Sequence, residues 1–277
     1  MLSYICNGGR LGENISYIYG LFKFCKNNNV PYNNIILDYN YKNKSLLKDK
    51  KDEYVFHDCM EMFSNIKSNF KKLDNSYFND FDIMDIKAKT DITLFYNFYK
   101  YNDDYSQTSN ILFKDYWSLD DYYRLRDPYF DRKLLEYICR PKKLINRLRN
   151  EYSDILMDST IGIHVRREDY IGLKTDSILK EDVKNNKNIF YKNKKLYSKD
   201  DIVKIIMDNR ENKILIFSDD TAWCRDNFEI YKNVNVIDGN RPYEDMILLS
   251  LCSKVIRNPG SFFSQISFIL NENNSNV

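Results

Sequence analysis

The chain has 277 residues, which exceeds a typical single domain and favours two lobes. Hydrophobic residues make up 43% and charged residues 30%, a composition that excludes a wholly disordered chain. The formal net charge is only +2, so the overall balance does not favour nucleic acid as a partner.

The first elements predict a strand, a glycine turn and a helix. The apolar segment "LSYIC" indicates a short strand, "NGGRLGEN" a turn, and "ISYIYGLFKFCKNN" a helix. The strand "NIILD" at 34–38 completes a βαβ unit. The turn lacks the Lys-Ser/Thr of a P-loop and does not match G-x-G-x-x-G, so we interpret it as a tight connection. Its backbone would line a cleft, with these candidate residues: Gly9, Arg10, Gly12 and Asn14.

The pattern changes near residue 157. From about 58 to 156 we find no clear strand signal, and helix-like pieces favour a mostly helical remainder of the first lobe. From 160 onward, "TIGIHV", "KILIF", "VNVID" and "KVIRN" alternate with helices predicted to begin near Ser198, Thr221, Tyr243 and Ser261. This alternation predicts a doubly wound parallel sheet. We therefore expect an N-terminal lobe at 1–157 and a C-terminal lobe at 158–277.

Polar residues follow all four predicted strands of the C-terminal lobe, where ligands of parallel α/β sheets bind. The first strand ends in "HVRRED". Arg166 suits a diphosphate because its planar fork donates two parallel charged hydrogen bonds, and Asp169 could orient that arginine or accept a proton. The structural alternatives are a solvated charged loop and, for His164, a satisfied core histidine.

The other strand ends also have a structural and a functional interpretation. Asp219 and Asp220 would cap the following helix, or would contact sugar or base hydroxyls. The segment "NPGSFFSQ" would be a simple Pro-Gly turn. Alternatively, it would hold phosphate oxygens through backbone N–H groups and the hydroxyls of Ser261 and Ser264.

Four motifs in chain order resemble the α-1,2-fucosyltransferase family, glycosyltransferase family 11. "HVRREDY" resembles the signature H-x-R-R-x-D-Y, and "GGRLGEN" is similar to the turn G-[RG]-L-G-N-Q. "FSDDTAWCRDNF" resembles F-S-D-D-x-x-W-C, and "EDMILLSLCSKVIRNPGSFFSQISFIL" resembles D-x-x-x-M-S-x-C-x-x-x-I-x-x-N-S-S-F-S-W-W. The family belongs to a wider group with α-1,6- and protein O-fucosyltransferases.

This resemblance implies an α/β, GT-B-like fold with two Rossmann-like lobes. The C-terminal lobe would hold GDP-fucose, and a glycan acceptor would lie across the cleft. The implied activity is the inverting, metal-independent transfer of fucose to a glycan hydroxyl, with an α-1,2 linkage. The resemblance implies a catalytic role for Arg166, Asp169 and His164. It implies donor binding by Arg167, Ser218, Asp219, Asp220, Asn258, Ser261, Phe262, Ser264 and Gln265.

Three departures from the family motifs leave alternatives open. Glu13-Asn14 replaces Asn-Gln in the first turn, "SFFSQIS" lacks the Trp-Trp pair, and Glu168 stands where glycine is common. The fold assignment survives these changes, but the linkage does not follow from them. A transferase for another nucleotide sugar and a non-catalytic nucleotide-sugar-binding homologue are the alternatives. Asp169 and Glu168 are both candidates for the general base.

The remaining sequence signals concern metals and the compartment. Asp80 and Asp82 spell D-x-D, a metal clamp in other sugar-transfer enzymes, but such triplets arise by chance in an Asp-rich chain, and we expect no metal. The six cysteines are far apart with no CxxC pair, which favours reduced thiols. We find neither a signal peptide nor an apolar segment of membrane-spanning length. We therefore expect a cytoplasmic protein, with peripheral association at the cytosolic face of a membrane left open.

Overall fold

The computed structural model divides into two compact units, Met1–Pro141 and Lys142–Val277. The residues that the structure describes are 2–5, 11–27, 29, 31–38, 60–71, 82–85, 111–114, 131–167, 189–191, 194–258 and 261–274. The sequence analysis placed the lobe boundary near 157, whereas the contacts group the helix Lys142–Glu151 with the second unit. The boundary of the functional domains stays a prediction.

The first unit contains a parallel sheet of five strands. Its elements are β1 (Leu2–Ile5), α1 (Leu11–Asn27), β2 (Ile35–Asp38), β3 (Phe70–Lys71), β4 (Asp82–Asp85), β5 (Ile111–Lys114) and α2 (Arg132–Cys139). The strand order is β3-β2-β1-β5-β4, and every neighbouring pair is parallel. Leu2 lies opposite Ile35. The predicted βαβ opening is therefore confirmed.

Three strands of this sheet were not predicted. β3, β4 and β5 lie within the stretch in which the sequence analysis found no clear strand signal. β4 has the sequence "DIMD" and β5 has "ILFK", so each has only four residues and ends in a charged residue. Such segments carry too few apolar positions to show a strand period, and they acquire their structure by pairing with β1 and with each other. The expectation that this stretch is mostly helical is therefore wrong for β3, β4 and β5.

Helix α1 forms because its apolar residues share one face. Ile15, Ile18, Phe22 and Cys25 follow one another at three- and four-residue steps, and all four are fully buried. The last turn carries Lys26, whose ammonium group is paired with the Asp131 carboxylate. The helix predicted from the sequence is therefore confirmed, and its apolar face is buried.

The second unit is built on a parallel sheet of four strands. Its elements are α3 (Lys142–Glu151), β6 (Ile161–Val165), β7 (Ile189–Tyr191), β8 (Lys194–Leu196), α4 (Lys199–Asp208), β9 (Ile214–Ser218), α5 (Thr221–Phe228), β10 (Val234–Val236), α6 (Pro242–Leu251), β11 (Lys254–Ile256) and α7 (Phe262–Leu270). The order is β10-β9-β6-β11, and β7 and β8 form a separate antiparallel pair. The predicted parallel sheet and its alternation with helices are confirmed.

Both faces of this sheet are covered by helices. Ile161 and Ile163 belong to a core that includes Ile202 of α4 and Phe228 of α5. Leu215 and Phe217 of β9 belong to the core on the opposite face. This core also includes Leu248 of α6 and Cys252, the residue that follows α6. Phe263 and Phe268 of α7 pack against the same core. Strands buried on both faces read as continuous apolar runs, which is why the sequence identified them.

The strand order fixes where a ligand would bind. The chain leaves β6 toward β9 and β10 on one side and later returns to β11 on the other side. Helix α4, which follows β6, packs on one face of the sheet, and α7, which follows β11, packs on the other face. The connections that follow these two strands therefore run in opposite directions, and a parallel α/β sheet binds ligands where this happens. This topological switch point is the place to look for functional side chains.

Candidate functional site

Two charged dipeptides leave adjacent strands side by side. The last residue of β6, Val165, lies opposite Ser218, the last residue of β9. Arg166 and Asp219 are the next residues of the two chains, so the pairing of the strands delivers an arginine and an aspartate to the same edge. The sequence analysis gave Arg166 a catalytic role and Asp219 a donor-binding role, and the structure brings the two residues together.

The first ion pair joins Arg166 and Asp219. Nη1 of Arg166 lies 3.0 Å from Oδ2 of Asp219, and each side chain is 14% exposed. Oδ1 of the same carboxylate accepts a hydrogen bond of 2.8 Å from the backbone N–H of Arg167. One aspartate therefore fixes both the side chain of the first arginine and the backbone of the second.

The second arginine is held on two sides. Nε of Arg167 donates to Oδ2 of Asp220 at 3.1 Å, and its guanidinium carbon lies 3.5 Å from the ring centroid of Trp223. Cation–π stacking is strongest when the cation is withdrawn from water, and the Arg167 side chain is only 12% exposed. The plane of this guanidinium is therefore set before any ligand binds.

Asp220 also begins helix α5, as the sequence predicted. Its Oδ1 accepts from the backbone N–H of Trp223 at 3.2 Å, which is an N-cap bond. Its own backbone N–H donates to Oγ of Ser218 at 3.0 Å. Behind this turn, burial raises the pKa of Cys224 to about 12, so that thiol stays protonated. The capping and ion-pair functions of Asp220 coexist, because its two oxygens serve different donors.

His164 lies within the sheet and not in the loop. It is 4% exposed, and its ring stacks on Phe263 with the centroids 4.8 Å apart and the planes at 24°. The ring packs on the face covered by α6 and α7, directly before the paired arginines. This packing suits a side chain that supports the strand end. A role in the reaction stays a prediction.

The turn between β11 and α7 is braced by its own hydrogen bonds. Oγ of Ser264 accepts from the N–H of Asn258 at 3.0 Å and donates to the Asn258 carbonyl at 3.1 Å. The N–H of Ser261 donates to that carbonyl at 3.1 Å. Because the buried Ser264 hydroxyl is engaged inside the turn, its described contacts fit a structural role. Ser261 and the half-buried Phe262 stand at the start of α7.

Gln265 connects α7 to a residue that the sequence analysis did not select. Oε1 of the buried Gln265 accepts from Nη1 of Arg257 at 2.7 Å, and the Arg257 guanidinium lies 5.0 Å from the ring centroid of Phe268. Arg257 follows β11, which borders β6 at the switch point. Arg257 stands at the end of the fourth predicted strand, among the polar strand ends that the sequence analysis described, but the sequence analysis gave it no role.

A polar network lies at the start of α6. Oη of Tyr152 donates to Oδ1 of Asn240 at 2.5 Å, and Nδ2 of Asn240 donates to Oδ1 of Asp245 at 3.0 Å. Burial raises the pKa of Asp245 to about 7, although the hydrogen bond from Asn240 opposes the rise. The sequence analysis quoted this aspartate within a motif but gave it no role.

The remaining predicted site residues lie in the first unit or outside the described residues. Gly12 and Asn14 lie in α1 of the first unit, where Asn14 is buried and the Gly12 carbonyl accepts a 2.9 Å hydrogen bond from Ser16. Four further residues lie outside the described residues: Gly9, Arg10, Glu168 and Asp169. Their assignments stay predictions.

The described residues form neither a metal cluster nor a membrane-spanning helix. Within 2–5, 11–27, 29, 31–38 and the other described ranges, no three His, Cys, Asp or Glu side chains are grouped so that they could hold a metal ion. Asp80 of the D-x-D triplet lies outside those ranges, and Asp82 is the first residue of β4. No described helix has the length and apolar character needed to span a membrane.

The solved structures that match this chain include two fucosyltransferases, FUT1 from Arabidopsis thaliana and POFUT1. An arginine-to-lysine mutant of Arabidopsis thaliana FUT1 in complex with GDP matches with a TM-score of 0.55 and 12% identity, covering 98% of this chain and 68% of that chain. POFUT1 in complex with GDP matches with a TM-score of 0.49 and 12% identity, covering 97% and 93%. At these identities the likeness concerns the fold alone, and a search of curated proteins finds no significant match.

A family model provides the stronger finding. Residues 116–276 match the model of glycosyl transferase family 11, and this range is more than half of the chain. It contains both arginine–aspartate pairs, the N-cap of α5 and the turn before α7. The resemblance inferred from the sequence motifs is thereby confirmed, and the chain belongs to glycosyl transferase family 11.

Proposed function

We propose that this protein transfers fucose from GDP-fucose to a hydroxyl of a glycan acceptor, with inversion and with formation of an α-1,2 linkage. The observation that carries the proposal is the pair of ion pairs at adjacent strand ends, Arg166 with Asp219 and Arg167 with Asp220. Both fall in the motifs that resemble fucosyltransferases, and both lie within the range matched by the family. The Arabidopsis protein with a similar fold was crystallised with GDP.

The chemistry requires positive charge at the leaving group. The bond between C1 of fucose and the β-phosphate oxygen breaks, and GDP leaves with the electron pair. The acceptor oxygen bonds to C1 from the opposite face and gives its proton to a base. Arg166 would bind the diphosphate and stabilise its developing charge, an effect for which losing one donor typically costs about 3 kcal/mol. Since fixed cations perform this role, we propose a reaction without a metal.

The arrangement of the strand ends supports this assignment physically. A ligand at the switch point would meet Arg166 from β6 and the start of α7 after β11. The start of a helix offers unpaired N–H groups to phosphate oxygens. We propose a GT-B fold with two Rossmann-like lobes, and Asp169 or Glu168 as the base that accepts the proton of the acceptor hydroxyl.

The arginine fork can be tested by a substitution that keeps the charge. Arg166→Lys retains one positive charge but cannot donate two parallel hydrogen bonds. We expect about 100-fold or greater loss of fucose transfer, with an unchanged melting temperature. Arg149→Lys is the matched control, because Arg149 makes an exposed pair with Glu272 at 3.2 Å. Near-wild-type turnover by Arg166→Lys would refute the assignment.

A donor panel separates this function from its alternatives. The purified protein is incubated with GDP-fucose, GDP-mannose, UDP-glucose and UDP-galactose, and thermal stabilisation and sugar release are measured. Stabilisation and turnover specific to GDP-fucose support the proposal. Turnover of another donor would indicate a different transferase of the same fold. GDP binding without turnover on a broad glycan panel would indicate a non-catalytic homologue.

A further inference from the structure

The two ion pairs leave little net charge for a diphosphate. Arg166 and Arg167 are each within ion-pair distance of an aspartate, at 3.0 and 3.1 Å. With all four groups ionised, two positive and two negative charges cancel. A nucleoside diphosphate brings further negative charge into the same edge, where the arginines and aspartates are mostly buried. An additional cation would improve the electrostatic balance.

Arg257 directly follows β11, which is the strand next to β6 at the switch point. In the register of β11 and β6, Ile256 lies opposite Ile163, so Arg257 follows at the level of His164. Neighbouring strands are about 4.8 Å apart. Arg257 therefore begins its loop one strand away from the arginine pair, at the edge where a parallel α/β sheet binds ligands.

The described contacts of Arg257 are with uncharged groups. Its Nη1 donates to Oε1 of Gln265 at 2.7 Å, and its guanidinium faces Phe268 at 5.0 Å. Among the residues that the structure describes, no carboxylate forms an ion pair with it. A half-buried guanidinium without a counter-ion is costly to desolvate. It differs in this respect from both neighbouring arginines.

The contacts also orient the side chain. Gln265 is buried and belongs to the first turns of α7, so its carbonyl oxygen is a fixed acceptor. The hydrogen bond to one terminal nitrogen and the contact with Phe268 restrict the guanidinium to one region beside the first two turns of α7. Both a fixed cation and the start of a helix favour an anionic ligand.

We propose that Arg257 is a donor-binding residue that contributes a positive charge, paired with no carboxylate among the described residues, to the diphosphate of the nucleotide sugar. This inference rests on the proposed function for the kind of ligand. Arg257 would supply positive charge to the diphosphate in addition to Arg166 and Arg167, each of which is paired with an aspartate. The structural alternative is that Arg257 only ties β11 to α7.

The test measures binding of GDP, guanosine and inorganic pyrophosphate by calorimetry at several salt concentrations. Arg257→Met keeps an apolar stem that can contact Phe268 and removes the charge. We expect it to weaken GDP and pyrophosphate binding about 10- to 100-fold and to leave guanosine binding unchanged. Arg257→Lys should recover much of the loss, and the dependence of GDP affinity on salt should be weaker in Arg257→Met. Arg149→Met is the control.

The outcomes distinguish this inference from the proposed function. Unchanged GDP affinity in a folded Arg257→Met variant overturns the inference, as does an equal loss for GDP and guanosine. If Arg257→Met unfolds, Arg257→Gln replaces it, because the amide keeps a donor for Gln265 and removes the charge. Unchanged GDP affinity in folded Arg257→Gln would also overturn the inference. If the wild type prefers another nucleoside diphosphate, the fucose assignment fails, while the expected charge effect on pyrophosphate still supports Arg257. A wild type that binds no diphosphate contradicts both.

Discussion

Replacing Trp223 by leucine would remove the surface against which Arg167 is stacked. The guanidinium carbon lies 3.5 Å from the ring centroid, and the arginine side chain is 12% exposed. For a cation–π contact this close and this far withdrawn from water, we take about 1 to 2 kcal/mol. Without it, Nε of Arg167 keeps its bond to Asp220, but the plane of the guanidinium is no longer fixed. If Arg167 binds the donor, GDP affinity should fall about 5- to 30-fold.

A double-mutant cycle on GDP affinity isolates this contact. Calorimetry is performed on the wild type, Trp223→Leu, Arg167→Gln and the double variant. We expect the double variant to bind GDP no more weakly than Arg167→Gln alone, because the tryptophan acts through the arginine. Trp223→Phe should retain part of the affinity, since it keeps an aromatic face. Tyr231→Leu, a substitution on the border of the same core, controls for loss of packing.

The cycle can refute the reasoning in two ways. Additive losses from Trp223→Leu and Arg167→Gln would show that the ring does not act through the guanidinium. Wild-type affinity in both single variants, with intact melting temperatures, would show that Arg167 braces the loop without contributing to donor binding. The melting temperature of each variant is measured because Trp223 also packs against the core that contains Phe228.

Three further predictions concern stability. A Cβ at Gly162 would lie 2.5 Å from Cδ1 of Leu249 and 2.8 Å from Sγ of Cys252, so Gly162→Ala should lower the free energy of unfolding by about 1 to 3 kcal/mol in denaturant titration; no change would contradict the packing. Burial raises the pKa of Asp245 from 3.8 to about 7, so its contribution to stability is full below about pH 4 and lost as the pH rises to about 7. Asp245→Asn should therefore raise the melting temperature at pH 8 more than at pH 4, and an equal shift at both would contradict the assignment. Ser198→Ala removes the capping box of α4 and should lower the free energy of unfolding by about 1 kcal/mol, which would be measured as a lower melting temperature.

The two central strands of the sheet in the second unit, β6 and β9, were predictable because they are buried on both faces. β6 and β9 each contain a run of apolar residues, and the helix after β9 begins at an aspartate that can cap it. These signals lie within single segments of the chain, so they can be identified without knowledge of the tertiary structure. The short strand β4, with an acidic residue at each end, has no such signal, and it depends on pairing with β5.

The site was predictable as a set of strand ends but not as a set of contacts. The doubled arginine and doubled aspartate were selected because parallel strands end at one edge. Which arginine meets which aspartate depends on the register of β6 and β9. Trp223 was quoted within a family motif without a role, and Arg257 was placed at the end of a strand without one. Both acquire their importance only from neighbours that are distant in the chain.

The most direct test of the account is to incubate the protein with GDP-fucose and a panel of glycans and to determine the linkage in any product by NMR. We predict release of GDP and one product with fucose attached by an α-1,2 linkage, and a rate of product formation at least about 100-fold lower with Arg166→Lys. Fucose at another position would contradict the proposed linkage. A wild-type protein that forms no fucosylated product, or an Arg166→Lys variant that forms as much as the wild type, would contradict the account.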